Sequence, residues 1–231
     1  MKKLIHIPHS STKIPKMFLS DYLISGDELV DESILMCDIY TDKLIEKSKD
    51  VEIIKFKYSR LFCDVERFET DEMDEVGMGI LYTNTHDLNP MRVLKNEKEI
   101  LKYYYTHHNK LNNLTEEILE QDGEIFIIDL HSYSNKPLKY ELHKNLKRPD
   151  VCLGVDSFHM DEKLLEKIIY IFNEHKINFI INEPFEGCLI PSNYYLKDKR
   201  VKGIMVEINK KMFKNDLEKI KELLICLIKE I

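Results

Sequence analysis

Short apolar runs alternate along this chain with long segments of helical periodicity, and that alternation limits the folds open to it. The apolar runs at 4–7, 51–56, 125–130, 178–182 and 203–208 are β-branched or aromatic in character and read as buried strands. Helical spacing occupies about 27–47, 97–120, 161–174 and 215 to the C-terminus. In the first of these, Val30, Ile34, Cys37, Thr41, Leu44 and Ile45 predict a stripe facing the core. Strands alternating with helices predict an α/β layer fold on a mixed, mainly parallel sheet, where functional groups gather at the C-terminal strand ends.

With 231 residues, 43% of them hydrophobic, the chain can bury one substantial core. It has no internal repeat and no Gly/Ser- or Pro-rich linker, so a single domain, 1–231, is expected. The net charge of −7, with acids and bases interspersed, offers no cationic face to a phosphate backbone, so no nucleic-acid partner is expected. No apolar run reaches the roughly 20 residues of a membrane span, and the Met-Lys-Lys opening leads into a segment too short for a signal sequence. The expectation is a cytoplasmic protein without a membrane partner. Cys37, Cys63, Cys152, Cys188 and Cys226 are scattered, form no CxxC pair, and read as reduced thiols in or near the core.

Several strands end on a polar group able to bind metal or move protons. The opening "HIPHSSTKIP" delivers His9, "IFIIDLHS" delivers Asp129 and His131, and "GIMVEINK" delivers Glu207. Two histidines and a carboxylate from different elements are the usual protein share of a catalytic zinc site. Asp38, placed on the expected helical stripe, is the candidate carboxylate, because a bare acid facing the core would need a cation. Each has a plainer reading. His9 or His131 could be a core histidine bonded to backbone, and Asp38 could pair with Lys43 or an arginine.

Glu207 lies in a run too apolar for a surface strand, so its carboxyl should be desolvated and its pKa raised, as suits a general base. The alternative is a salt bridge to Arg60 or Arg67. Asp129, two residues before His131 on the same strand face, is placed to orient a ligand histidine. In "SRLFCDVERF", Arg60 and Arg67 can bind an anionic substrate bidentately, or each can be spent on an internal ion pair, with Asp64 the obvious partner. His6 and the pair His107, His108 read as structural, and the hydroxyls of Ser10 and Ser11 as partners for ligands or substrate. The acidic span 68–89 interrupts the alternation and is expected as a flexible loop over or beside a site. The usual dinucleotide, phosphate-loop, serine-hydrolase and HExxH signatures are missing.

Taken together, "IPHSSTKIP", the segment carrying Asp38, "YSRLFCDVER", "IDLHS", "DVCLGVD", "INEPFEGCLI" and "MVEINKKMF" run nearly end to end in a specific order. In these the chain resembles the N-formylglutamate amidohydrolases, a family similar in fold and metal site to zinc carboxypeptidases. The resemblance implies a phosphorylase/hydrolase-like, three-layer α/β/α sandwich with Zn2+ or another divalent metal as cofactor. It also implies cleavage of the formyl amide of N-formyl-L-glutamate to formate and glutamate, which ends a route of histidine breakdown.

Carried over by position, His9, Asp38 and His131 hold the metal, and Glu207 is the base, with Arg60 beside it at the reacting centre. Arg60 and Arg67 bind substrate, with Asn182, Phe185 and Gly187 in the pocket loop. The family pattern usually reads Asp-x-Asn-Arg where this chain has Asp64-Val65-Glu66-Arg67, and often a second glycine where Cys188 stands. An added carboxylate at Glu66 should repel a dianion. The resemblance implies a small-molecule N-acyl amino acid as partner, N-formyl-L-glutamate first; Glu66 points to the second choice, another N-acyl amino acid or short peptide. A silent binding domain on the same fold is the reading outside enzymes.

Overall fold

The computed structural model describes residues 1–144 and 147–231. Its strands are β1 (Lys2–Ile7), β2 (Val51–Lys55), β3 (Ile125–Tyr133), β4 (Val151–Gly154), β5 (Phe179–Ile181) and β6 (Val201–Asn209). They form one sheet in the order β2-β1-β3-β6-β4-β5. β2, β1, β3 and β6 run parallel, whereas β4 is antiparallel to β6 and parallel to β5. The helices are α1 (Gly26–Met36), α2 (Glu97–Asp122), α3 (Glu162–Glu174), α4 (Lys210–Asn215) and α5 (Leu217–Glu230). Helices cover both faces, giving the three-layer α/β/α sandwich with a mixed, mainly parallel sheet that was expected. No described helix is long and apolar enough to cross a membrane.

The period of two along each strand assigns the faces. Ile5, Ile7, Phe126, Ile128, Leu130, Ile204, Val206 and Ile208 pack with α3 and α5 through Ile168, Phe172, Ile220 and Leu224. The alternate positions Leu4, Ile125, Ile127 and Val201 pack under α2 through Leu111, Ile118 and Leu119. Toward the C-terminal strand ends that second face changes character: the positions that continue it are His6, Asp129, His131 and Glu207, all buried. One side of the sheet thus remains apolar throughout, and the other turns polar where the strands end.

Between β1 and β2 the structure departs from the expected stripe. A capping box starts α1, with the Ser25 hydroxyl accepting from Glu28 N–H and the Glu28 carboxylate accepting from Ser25 N–H. The helix ends at Met36, not near 47, and its buried positions are Leu29, Glu32, Ser33 and Met36. Val30 and Ile34 are 56% and 48% exposed. The period was right but the face was displaced, because buried Glu32 is polar and satisfied by the His86 backbone and ring. Asp38 is therefore not a helix residue. It follows the extended Cys37 and is anchored by its N–H donating to the His9 carbonyl at 2.8 Å.

The segments 151–154 and 210–215 form β4 and α4, two elements absent from the strand and helix assignment above. The 68–89 span was expected to be flexible, but it is packed: Met73, Met78 and Tyr82 are buried in a cluster with Leu29, Met36, Leu61 and Met91.

Candidate metal centre and its cleft

At the polar end of the sheet lies a cleft of about 990 Å³. His9, Asp38, Arg60, Arg67, His131, Asn182, Phe185, Gly187 and Glu207 all line it, so every site residue chosen from the sequence reaches the same space. Phe68, Asp71, Glu72 and Met73 line it too, which places the 68–89 span beside the cleft.

His9 enters just past β1, His131 from the end of β3, and Asp38 from the turn after α1. Asp38 Oδ2 lies 3.1 Å from His131 Nδ1 and 3.6 Å from His9 Nδ1. Two bonds of about 2.1 Å at a tetrahedral angle set ligand atoms about 3.4 Å apart, and the two distances straddle that value. His9 Nδ1 is buried and has no hydrogen-bond partner among the described residues. An imidazole nitrogen left bare beside a buried carboxylate and a second imidazole fits a divalent cation, and nitrogen and oxygen donors of this kind suit zinc.

The far nitrogen of each histidine meets another acid. His9 Nε2 lies 2.7 Å from Asp64 Oδ1, and His131 Nε2 lies 3.0 Å from Asp129 Oδ1. A proton held at Nε2 by these carboxylates turns Nδ1 of both rings toward Asp38 and the cleft, where it could serve a cation. The contact expected of Asp129 is present; the equivalent role of Asp64 toward His9 is not one the sequence reading assigned. Its signal was an acid enclosed by the apolar residues of "LFCDV".

Burying an ionised carboxylate without partners costs several kcal/mol, and both acids are well supplied. Asp64 accepts from Arg60 at 2.8 Å, from the Tyr82 hydroxyl at 2.8 Å and from Glu66 N–H at 2.9 Å. Burial would push its carboxyl up, but Arg60 and His9 hold it well below the usual range. Asp129 also faces His6 Nδ1 at 3.0 Å and accepts from Leu189 N–H at 3.2 Å. Burial opposes ionisation of Asp38 as well, but bonds from His131 and His9 keep it low. His131 shows the reverse balance: burial disfavours its cation, and Asp129 and Asp38 raise its pKa well above the ordinary value.

Glu207 is paired in register with His131 across β6 and β3. Its Oε2 is buried without a hydrogen-bond partner, and neither Arg60 nor Arg67 forms an ion pair with it among the described residues. Burial pushes this carboxyl up to about 8, with His131 pulling it down and Asp38 pushing it further up. The desolvation expected for it from sequence is present.

Arg60 donates from Nε and Nη2 to Asp64, so the internal ion pair is formed while the residue still lines the cleft. Arg67 donates from Nε to the Met78 carbonyl at 3.2 Å. Asn182 has φ 54°, and its side chain ties to Val155 N–H at 2.7 Å and to the Val155 carbonyl at 3.1 Å, fastening the pocket loop. Phe185 packs edge-on against Tyr133 with ring centroids 5.5 Å apart. The Gly187 carbonyl lies 2.0 Å from where a Cβ on Gly154 would sit, so this close approach requires glycine at 154.

Ser11 was expected to meet ligands; its hydroxyl instead donates to the Lys57 carbonyl at 2.8 Å and accepts from Lys13 N–H at 3.2 Å. His107 packs inward, its Nε2 2.8 Å from His6 Nε2. Cys37, Cys63 and Cys152 are buried, and all five cysteines are free. Lys210, which sequence reasoning passed over, lines the cleft and donates to the Leu35 carbonyl at 2.8 Å.

The fold and the cleft place the chain among α/β proteins that carry their polar side chains at the C-terminal ends of parallel strands. Residues 1–213 match the model of the N-formylglutamate amidohydrolase family. The chain belongs to that family, whose activity is hydrolysis of an amide. No curated protein matches it by sequence. Among solved structures it is similar to an N-formylglutamate amidohydrolase from Ralstonia eutropha JMP134, with a TM-score of 0.80 and 17% identity over 98% of this chain and 92% of that one. A gene product from Agrobacterium tumefaciens is also similar, with a TM-score of 0.72 and 15% identity over 99% of this chain and 88% of that one. At these identities the likeness is one of fold.

Proposed function

We propose that the chain cleaves the formyl amide of N-formyl-L-glutamate to formate and L-glutamate, with a divalent metal ion, zinc by its donor set, as cofactor. One observation carries the reading. An unsatisfied His9 Nδ1 lies beside Asp38 and His131, with the unsatisfied Glu207 Oε2 on the strand paired to that of His131.

In this reading His9, Asp38 and His131 would hold the ion, while Asp64 and Asp129 fix the two imidazoles. Bound there, a divalent ion would supply Lewis acidity, lowering the pKa of water toward about 7 and polarising the amide carbonyl. Glu207 takes the proton of the attacking water and returns it to the leaving amine nitrogen. Its desolvated carboxyl, with a pKa of about 8, suits both transfers. Arg60, steadied by Asp64, faces the developing oxyanion. Arg67 receives a substrate carboxylate, and Asn182, Phe185 and Gly187 shape the pocket wall. With that substrate the enzyme closes a route of histidine breakdown in the cytoplasm, as one domain.

A second reading, hydrolysis of another N-acyl amino acid, is favoured by the Arg60–Asp64 pair and by the Glu66 carboxylate in the cleft. They leave Arg67 as the cleft arginine without an ion pair among the described residues, which matches one substrate carboxylate better than two.

Release of the free amino acid from N-formyl-L-glutamate, run beside N-formyl amino acids with neutral side chains and the N-acetyl and N-succinyl analogues of glutamate, tests the reading. The highest kcat/KM is expected for N-formyl-L-glutamate. A higher value for a neutral N-formyl amino acid selects the second reading, and no cleavage of any of them overturns both.

A further inference from the structure

On the other side of His131 from the first centre lies a second set of donor atoms. We propose that His6, Glu66 and Asp129 form a second divalent-cation site, joined to the first through the contact between Asp129 and His131. The inference extends the metal reading of the first centre.

His6 Nδ1 lies 3.0 Å from Asp129 Oδ1 and 3.1 Å from Glu66 Oε1. His6 and Asp129 are completely buried, and the Glu66 side chain is 12% exposed. A single Nδ1 proton cannot serve two carboxylates. Asp129 takes the hydrogen bond, and Glu66 Oε1 is left buried without one among the described residues. An ionised carboxylate oxygen in that position is costly unless a cation faces it. A cation between the two acids satisfies both.

The histidine is prepared for this. His6 Nε2 lies 2.8 Å from His107 Nε2, so when an ion displaces the Nδ1 proton the remaining proton sits at Nε2, is accepted by His107, and the Nδ1 lone pair is left facing the ion. The same device, with carboxylates as acceptors, fixes His9 and His131 in the first centre.

Spacing and donor type then narrow the ion. Neighbouring ligands in an octahedral shell with bonds of about 2.1 Å are about 3.0 Å apart, which matches the short separations around His6 Nδ1. One imidazole with two carboxylates is richer in oxygen than the first centre and suits Mn2+ as well as Zn2+. Glu66 and Asp129 both line the cleft, so an ion can enter and waters can complete its shell. Asp129 Oδ1 and Glu66 Oε2 lie 3.0 and 3.9 Å from His131 Nε2, so filling the second site alters the electrostatics of a first-centre residue directly.

Equilibrium dialysis of chelator-stripped protein against Zn2+ or Mn2+, with metal per chain counted by elemental analysis, tests the site. Wild type is expected to bind two ions, Glu66→Gln one, and Asp38→Asn one. One ion in wild type, kept by Glu66→Gln and lost by Asp38→Asn, overturns the second site and leaves the first standing. Two ions in both wild type and Glu66→Gln overturn it equally, because the second ion then sits elsewhere. No bound metal in wild type overturns both sites. Glu66→Asn, also uncharged, is expected to match Glu66→Gln, with circular dichroism confirming that each variant is folded.

Discussion

Glu207 and His131 are register partners on the adjacent parallel strands β6 and β3, and the buried Glu207 Oε2 beside that histidine has no hydrogen-bond partner among the described residues. An unsatisfied buried carboxylate costs stability that packing alone does not restore. In this fold it lies where two strand ends present their polar side chains to the cleft.

Glu207→Gln keeps the shape and removes the proton acceptor. Turnover is expected to fall about 10²- to 10⁴-fold, with metal content unchanged. Steady-state kinetics beside elemental analysis check both. Full activity in this variant removes Glu207 from the proton transfer.

Asp64→Asn tests the orientation of His9. Loss of the charge 2.7 Å from His9 Nε2 weakens the preference for a proton there and so weakens donation from Nδ1. Zinc affinity is expected to drop roughly 10- to 100-fold, the usual effect of removing such a partner. Competition with a chromophoric chelator measures it. An unchanged Kd would separate Asp64 from the metal centre.

Metal-free protein should lose stability as pH rises from 6.5 to 8. Burial opposes a charge on His6, but Asp129 and Glu66 raise its pKa from 6.5 to about 9, and burial raises Glu207 from 4.5 to about 8. In that window the folded chain holds protons that the unfolded chain has released, so the slope of stability with pH is negative. Burial pushes His107 down to about 2 and His108 to about 4, which gives the opposite slope below 6.5. Urea midpoints of chelated protein are expected to peak near pH 6.5. A midpoint still climbing at pH 8 contradicts these assignments.

Gly154→Ala puts a methyl 2.0 Å from the Gly187 carbonyl, a backbone atom that cannot rotate away. A loss of about 1–3 kcal/mol is expected from such overpacking, together with a raised KM as the loop of Asn182 and Phe185 shifts. Denaturant melts and KM for the same variant check the two effects.

The central strands were legible because their core runs are apolar and bounded by polar residues; the buried β4, "VCLG", was passed over, and 178–182, read as buried, forms the edge strand β5 with Ile180 38% exposed. In α1 the buried face carries Glu32 and Ser33, so apolar periodicity pointed at exposed Val30 and Ile34. His9, His131 and Glu207 announced themselves as polar residues closing apolar strands. Asp38 was chosen for a helical position it does not occupy, although the residue is buried and does meet both histidines. Asp64 and Glu66 reach their partners across 55 and 60 residues of chain, through packing that no local spacing encodes.

In the proposed mechanism amide cleavage depends on an ion held by His9, Asp38 and His131. Formate release from N-formyl-L-glutamate should be followed in purified protein, after chelator treatment, and after Zn2+ is restored, with His131→Ala in parallel. Activity lost on chelation, regained with Zn2+ in wild type and not regained in His131→Ala is the expected result. Undiminished formate release from metal-free protein would rule out a metal-dependent cleavage.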